Sequence, residues 1–479
     1  MQVNVKSKGG LVTHMRVPAK LLVHLVAVAA VACSLAAVAR ADLSIDAFGA
    51  LHSDSSLMAA HVNGKALYNA LAAANASGAT DRTVVVPAGQ VYTYVPMSDI
   101  WYLNNVRLRL DGTLSLYTTE TSSAWPNGTD GSPLNALCFR FCNNLELLGN
   151  GVIEGNGHGW WAEVIFTGQD HRPRMLNTIS GINTTLTGWT MRNSPSFHAL
   201  LDDMINLTVT GVTVHVDVTA QTELLKKAGH WSDGTRGFPP GVPMFPLNTD
   251  GIDVAGRDIV VRNVSVQNFD DSVCIKPLNG MSDLVTCTEN VLVEDVRITY
   301  GVGASVGSVP PKASVNCIRN ITFRNIVFDK PIKGIYVKPN PGTHGTGIID
   351  QITYENIVGR DALWWAIWVS TQQQKQPGHG ADTGCSFFYP LFNTTCPLQP
   401  LVPVTRLTLR NVTMTGGLFS PGVLRCDEAG PCTDWVFDNV KFTSKTDFPF
   451  GAHFLCHGLV NATFTNTQPA CQQNDEMLA

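Results

Sequence analysis

Beyond residue 39 the chain has no apolar run long enough to cross a bilayer, and nowhere does it carry the Cys-x-x-Cys or His-rich spacing of a zinc site. It also lacks an excess of basic charge. Its 33 Lys and Arg stand against 38 Asp and Glu, for a net charge of -5. That balance excludes a general binder of nucleic acid. Charged residues are only 15% of the chain and apolar residues 44%, which excludes disorder and permits a large core.

The N-terminus has a different character. Lys6, Lys8, Arg16 and Lys20 precede an apolar stretch from Leu21 to Ala39 without Asp or Glu. This is the pattern of a signal peptide, with Ala37-Val38-Ala39 as the cleavage site and Ala39-Arg40-Ala41 as a second choice; an uncleaved anchor is the alternative. The expected organisation is a signal peptide over 1–39 and one domain over 40–479, extracellular and with no membrane attachment after cleavage. Cleavage moves the net charge from -5 to -9, because four cations leave and no anion does. An acidic polysaccharide would therefore need local cations in its groove.

Of the twelve cysteines, Cys33 would leave with the signal. Close spacing predicts disulfides between Cys138 and Cys142, Cys385 and Cys396, Cys426 and Cys432, and Cys456 and Cys471, with Cys287 and Cys317 as a further pair. Cys274, in an apolar strand, is expected as a free buried thiol. Nine Asn-x-Ser/Thr sequons suit a secreted glycoprotein, although several fall inside a repeated motif that already calls for Asn and Thr.

That motif is a polar residue, alternating apolar positions, then Asn, Gly or Asp and a second alternating run. It reads Asn206-Leu-Thr-Val-Thr-Gly-Val-Thr-Val214, Asn290-Val-Leu-Val-Glu-Asp-Val-Arg-Ile298 and Asn320-Ile-Thr-Phe-Arg-Asn-Ile-Val-Phe328, with start-to-start spacings that include 32, 30, 31 and 28 residues. Each unit is strand, tight turn, strand, and no segment between units reads as a crossover helix. Stacked units bury an interior that one unit cannot, so the expected fold is an all-β parallel β-helix, a solenoid. A propeller has longer repeats and no such Asn spine. The Ala- and Leu-rich segment from Gly64 to Asn75 is expected as an N-terminal capping helix, and 226–246 and 372–400 as insertions.

Three successive units end in polar residues: Asn248-Thr-Asp-Gly-Ile-Asp253, Asn268-Phe-Asp-Asp-Ser272 and Gly301-Val-Gly-Ala-Ser305. Equivalent positions of adjacent coils lie about 4.8 Å apart, so these residues meet in one patch. Clustered carboxylates repel, raise at least one pKa, and equip a site for glycoside hydrolysis. With Val273 and Ile275 inward, Asp270 faces outward; with Ile335 and Val337 inward, so do Tyr336 and Lys338. Asp250 and Asp271 fall on the inward phase, which demands a bulge or turn at each.

Asn248-Thr-Asp-Gly251, Asp270-Asp271 and Lys338 in Gly334-Ile-Tyr-Val-Lys338 resemble successive signatures of the family 28 glycoside hydrolases, the polygalacturonase family. Gly155-Asn-Gly-His-Gly-Trp-Trp161 and Val86-Pro-Ala-Gly89 are similar to that family's upstream patterns. The resemblance implies a right-handed parallel β-helix that hydrolyses a pectic polysaccharide with inversion, as a monomer and with no metal or organic cofactor. It implies Asp270 as general acid, with Asp250 and Asp271 positioning and deprotonating water across a gap of roughly 6.5 to 9.5 Å. Two departures stand out, since the family carries Gly-His-Gly where this chain has Gly301-Val302-Gly303 and Arg-Ile-Lys where it has Tyr336-Val337-Lys338. Lys338 is left to bind a galacturonate carboxylate as a point charge, and Tyr336 to stack on a sugar. His198 is a further candidate for the groove wall, and Trp364, Trp365 and Trp368 for a sugar platform, against the plain alternative that they are buried. From a different class, a catalytically silent β-helix that binds cell-wall glycans fits the same repeat, and a lyase would need calcium ligands that the sequence does not offer.

Overall fold

A computed structural model describes residues 42–473 apart from 119–123, 235–239, 281–283, 315, 375–383, 387–388 and 390–393. The expected signal peptide over 1–39, with Cys33, lies outside the described residues, as does Asn393.

The alternating runs form parallel strands in register with the coils before and after them. On one face Ile252–Asn268, Val273–Ile275, Ala304–Val309, Lys333–Pro339 and Trp365–Val369 are successive neighbours. Register stacks Val254, Ile275, Val306, Val337 and Val369 in one column, all fully buried in the core. The intervening column, Asp253, Cys274, Ser305, Tyr336 and Trp368, points the other way, and its Tyr336 lines an outer cavity. The fold is a parallel β-helix.

The Asn of the repeat has a physical reason. The chain turns each corner through a left-handed residue, at Asn290 (φ 57°), Asn320 (φ 55°), Asn325 (φ 56°) and Asn356 (φ 55°) among others. Asn tolerates that conformation better than most residues. Its amide also links coils: Asn320 Nδ2 donates to Asn290 Oδ1 at 2.7 Å, and Asn325 Nδ2 to Asp295 Oδ1 at 3.0 Å.

The capping helix runs over Leu57–Asn75, longer than the expected segment, and begins where the Ser56 side chain accepts from Ala59 N. Ala60, Leu67, Ala70 and Leu71 join it to the core at the first coils. Two short helices were not anticipated, His158–Thr167 and Val218–Lys227, the latter capped by Asp217 and followed by the expected Gly- and Pro-rich insertion. No helix among the described residues is long and apolar enough to cross a membrane.

Disulfides join Cys287 to Cys317, Cys385 to Cys396, Cys426 to Cys432 and Cys456 to Cys471, and Cys274 is a buried free thiol. The expected Cys138–Cys142 bond is absent. Cys138 lies in the strand Leu137–Arg140, and the left-handed Phe141 (φ 53°) reorients the chain before Cys142. Cys142 then packs in the core while the Cys138 thiol faces Asn177 of the next coil, so the sulfurs diverge despite the short spacing.

Candidate active site

The site is built where strands stop. Asn248 to Gly251 precede the strand that starts at Ile252, and Phe269 to Ser272 separate Asn268 from the strand that starts at Val273. Asn268 ties the two turns together. Its amide nitrogen donates to Thr249 O at 3.0 Å and Asp271 O at 2.9 Å, while its oxygen accepts from Ser272 Oγ at 3.0 Å. The next coil must come close to pack against them. At Gly301 (φ 67°) a Cβ would stand 2.0 Å from Ser272 Oγ, and at Gly303 (φ 75°) 1.8 Å from Gly334 O, so the backbone passes where a side chain cannot.

The phase problem at Asp250 and Asp271 resolves in the same place. Both precede their strands, so the alternation that would turn them inward does not reach them. Ile252 pairs with Val273, which sets the two aspartates side by side on neighbouring coils. Asp250, Asp270 and Asp271 bring carboxylate oxygens within 4.8 Å of one another. That is tighter than the expected gap of roughly 6.5 to 9.5 Å, so three carboxyls converge on one point instead of two facing each other across it. Asp270 is half-buried and accepts from Asn248 N and Asp271 N, each at 2.9 Å.

Two ammonium groups hold the cluster. Lys338 Nζ lies 2.7 Å from Asp271 Oδ2, and Lys276 Nζ lies 3.1 Å from Asp271, 3.5 Å from Asp250 and 3.2 Å from Asp253. Ser305 Oγ donates to Asp271 Oδ1 at 2.8 Å. Burial opposes charge on every member. At Asp271 the two lysines and the Ser305 hydroxyl overcome burial and hold the carboxyl far below its usual range. At Asp250 burial, with Asp270 and Asp253 nearby, pushes the pKa well up, and at Asp270 burial and Asp271 raise it. One carboxylate is thus kept ionised beside two that favour a proton, the division of labour that acid and base catalysis needs. The oxygen donor set could also approach a cation. Lys276 and Lys338 already supply positive charge there, and their repulsion opposes one.

The cavity around this cluster has a volume of about 620 Å³. Arg172, Arg174, Lys276, Lys333 and Lys338 line it, which are the local cations that an acidic chain requires of an acidic ligand. Most of the remaining sequence candidates are packed or already engaged. His198 is fully buried and does not line the cavity. Its Nε2 accepts from Ser194 N at 3.2 Å and its Nδ1 donates to Asp250 O at 2.9 Å, which fixes a neutral ring, with a pKa lowered to about 4 by burial, behind the Asp250 turn. Tyr336 lines the cavity, but its ring face is covered by the ammonium groups of Lys333, 3.9 Å from the centroid, and Lys338, at 4.6 Å. Lys338 is itself engaged by Asp271. Trp365 and Trp368 pack among Phe419, Phe450 and Tyr389, and only Trp364 of the three reaches the cavity wall.

Lys276, Lys333, Arg172 and Asp253 were missed. The alternation that puts Asp270 outward also puts Lys276 outward, so that residue was legible. Lys333 and Arg172 sit at or before strand ends, where no phase argument applies. Arg172 donates to Leu247 O and pairs with Asp170 at 2.7 Å, and so braces the chain entering Asn248.

Residues 77–456 match the model of the glycosyl hydrolases family 28. A curated relative, the probable endo-xylogalacturonan hydrolase A of Aspergillus flavus, is 27% identical over 283 residues, which cover 58% of this chain and 60% of the relative. The matched region thus spans about three fifths of the length of that relative. Among solved structures, the endo-xylogalacturonan hydrolase from Aspergillus tubingensis aligns with a TM-score of 0.59 at 19% identity, covering 84% of this chain and 95% of that one. The polygalacturonase from Erwinia carotovora ssp. carotovora aligns at 0.57 and 18% identity, covering 88% and 96%. At these identities the likeness shows the fold, the right-handed parallel β-helix.

Proposed function

The chain belongs to glycosyl hydrolase family 28, and on that premise we propose that it is a secreted, monomeric hydrolase of a pectic polysaccharide with a galacturonan backbone, including xylose-substituted forms. The observation that carries this reading is the convergence of Asp250, Asp270 and Asp271 at the floor of a cation-lined cavity. Asp270, whose pKa is raised, donates its proton to the glycosidic oxygen as the bond to the anomeric carbon breaks. Asp271, held ionised by Lys338 and Lys276, takes the proton of a water that Asp250 beside it helps to orient, as the water's oxygen bonds to that carbon from the opposite face. Inversion of the product anomer is taken from the family resemblance and not from the carboxyl separation, which is shorter than the usual inverting gap. Proton NMR of the first product is expected to show inversion, and retention would refute this assignment of roles.

The experiment that tests the activity is reducing-sugar release from polygalacturonan, xylogalacturonan and rhamnogalacturonan. Wild type is expected to act on at least one, and Asp270→Asn to lose at least 10³-fold on it. No release from any of the three would leave the silent glycan-binding β-helix as the reading. Val302→His restores the family residue and asks whether its absence limits turnover.

A further inference from the structure

Four of the five cations on the cavity wall already have a place. Lys338 and Lys276 are paired with the catalytic carboxylates, Arg172 is paired with Asp170, and Arg174 is only half-buried, with its guanidinium over the Phe197 ring at 5.4 Å. Lys333 is different. It is 2% exposed, its ammonium lies 3.9 Å from the Tyr336 ring centroid, 5.4 Å from that of Trp368 and 5.6 Å from that of Trp364, and it donates to the neutral amide oxygen of Gln374 at 2.8 Å. Among the described residues no carboxylate stands within ion-pair distance of it. A buried ammonium held by ring faces and one amide has lost its water and gained no counter-charge, an arrangement that is costly on its own. An anion arriving through the cavity would remove that cost.

We propose that Lys333 is a specificity-determining residue that receives the carboxylate of a uronic-acid unit of the substrate, with Gln374 and Tyr336 orienting its ammonium. The inference rests on the hydrolase reading for the nature of the ligand and extends it by naming the group that reads the acid. It transfers to Lys333 the role that the sequence gives to Lys338, because Lys338 is already neutralised by Asp271. Burial and the nearby Lys338 depress the Lys333 pKa well below the usual lysine range, while Asp271 and Asp270 oppose that at longer reach, which accords with a site completed by an incoming negative charge.

The test is calorimetric binding of a galacturonic-acid trisaccharide and of its fully methyl-esterified form to the full chain carrying Asp270→Asn, which blocks turnover. The acid form is expected to bind at least tenfold tighter than the ester. Adding Lys333→Met is expected to weaken the acid form at least tenfold and the ester less than twofold, and Lys333→Arg to restore most of the difference. Gln374→Glu, which supplies an internal counter-charge, should weaken the acid form selectively, and it serves if Lys333→Met does not fold. Equal loss for both ligands, or no preference for the acid in the parent, overturns the proposal. Binding needs no catalysis, so a chain that discriminates through Lys333 yet releases no sugar would sink the hydrolase reading and leave this inference standing.

Discussion

Lys338 and Asp271 act as one unit, since the ammonium that would otherwise read substrate is what keeps the carboxylate charged at 2.7 Å. Lys338→Met removes the foremost influence lowering the Asp271 pKa, so that carboxyl would take up a proton at a higher pH than in wild type. Activity that needs ionised Asp271 is then lost sooner as pH falls. The acid limb of the kcat/KM profile should move upward, with a loss of tenfold or more at the acid end and a smaller one near neutrality; an unshifted limb would detach Asp271 from the role of base. Asp253 shows the opposite sign. It is fully buried, and burial raises its pKa to about 6 even though Lys276 pulls it down. The folded state binds this proton more tightly than the unfolded chain does, so the contribution of Asp253 to stability is fully present below the unfolded pKa of 3.8 and is lost as pH rises through about 6. Asp253→Asn should therefore raise stability at pH 7 by about 1 to 3 kcal/mol and flatten the pH dependence between those values, as measured by denaturant unfolding.

The corner ladder is what the eye finds first in the sequence, and its period is set by geometry. At each corner one residue adopts positive φ, as Asn320 and Asn325 do within one coil, and Asn both tolerates it and passes a hydrogen bond to the next coil. Asn325 donates to Asp295 at 3.0 Å and accepts from Asn356 at 3.4 Å. Asn325→Ala loses both bonds and the tolerance of φ 56°, a cost of about 1 to 2 kcal/mol that thermal or denaturant unfolding would show. The same ladder gives five of the sequon asparagines a structural use: Asn183, Asn206, Asn320, Asn411 and Asn461 each donate their amide to a neighbouring coil. The coils were legible because alternation holds along a strand, whereas Asp270 lies in the turn before Val273, where phase agrees with its outward direction without fixing it. The positions of Asp250, Asp271 and Lys333 were not legible, because each lies at a strand's start, where contacts from the next coil decide direction. Gly303 is the clearest such contact, and Gly303→Ala should cost more than about 2 kcal/mol, since strain at φ 75° adds to a clash with Gly334 O that the backbone must move to relieve.

A solenoid has two ends to protect, and this one treats them differently. The helix Leu57–Asn75 covers the first coils, whereas the strand Thr463–Gln468 at the other end is largely exposed and rich in Thr, polar enough to meet water. Among the described residues the four disulfides lie from Cys287 onward, and Cys456 is joined to Cys471, while Cys138, Cys142 and Cys274 in the earlier coils are free. Among the described residues cross-links are thus concentrated away from the capping helix. Because each coil contacts mainly its neighbours, fraying should begin at the end and spread only as far as neighbouring contacts fail. The double variant Cys456→Ser, Cys471→Ser is therefore expected to speed amide exchange in Phe454–His457 and Thr463–Gln468 while exchange in Val273–Ile275 and Lys333–Pro339, which carry the site, stays within twofold of wild type. Uniform acceleration along the chain would mean that the solenoid unfolds as one unit and that the terminal cystine guards the active site as well as the edge.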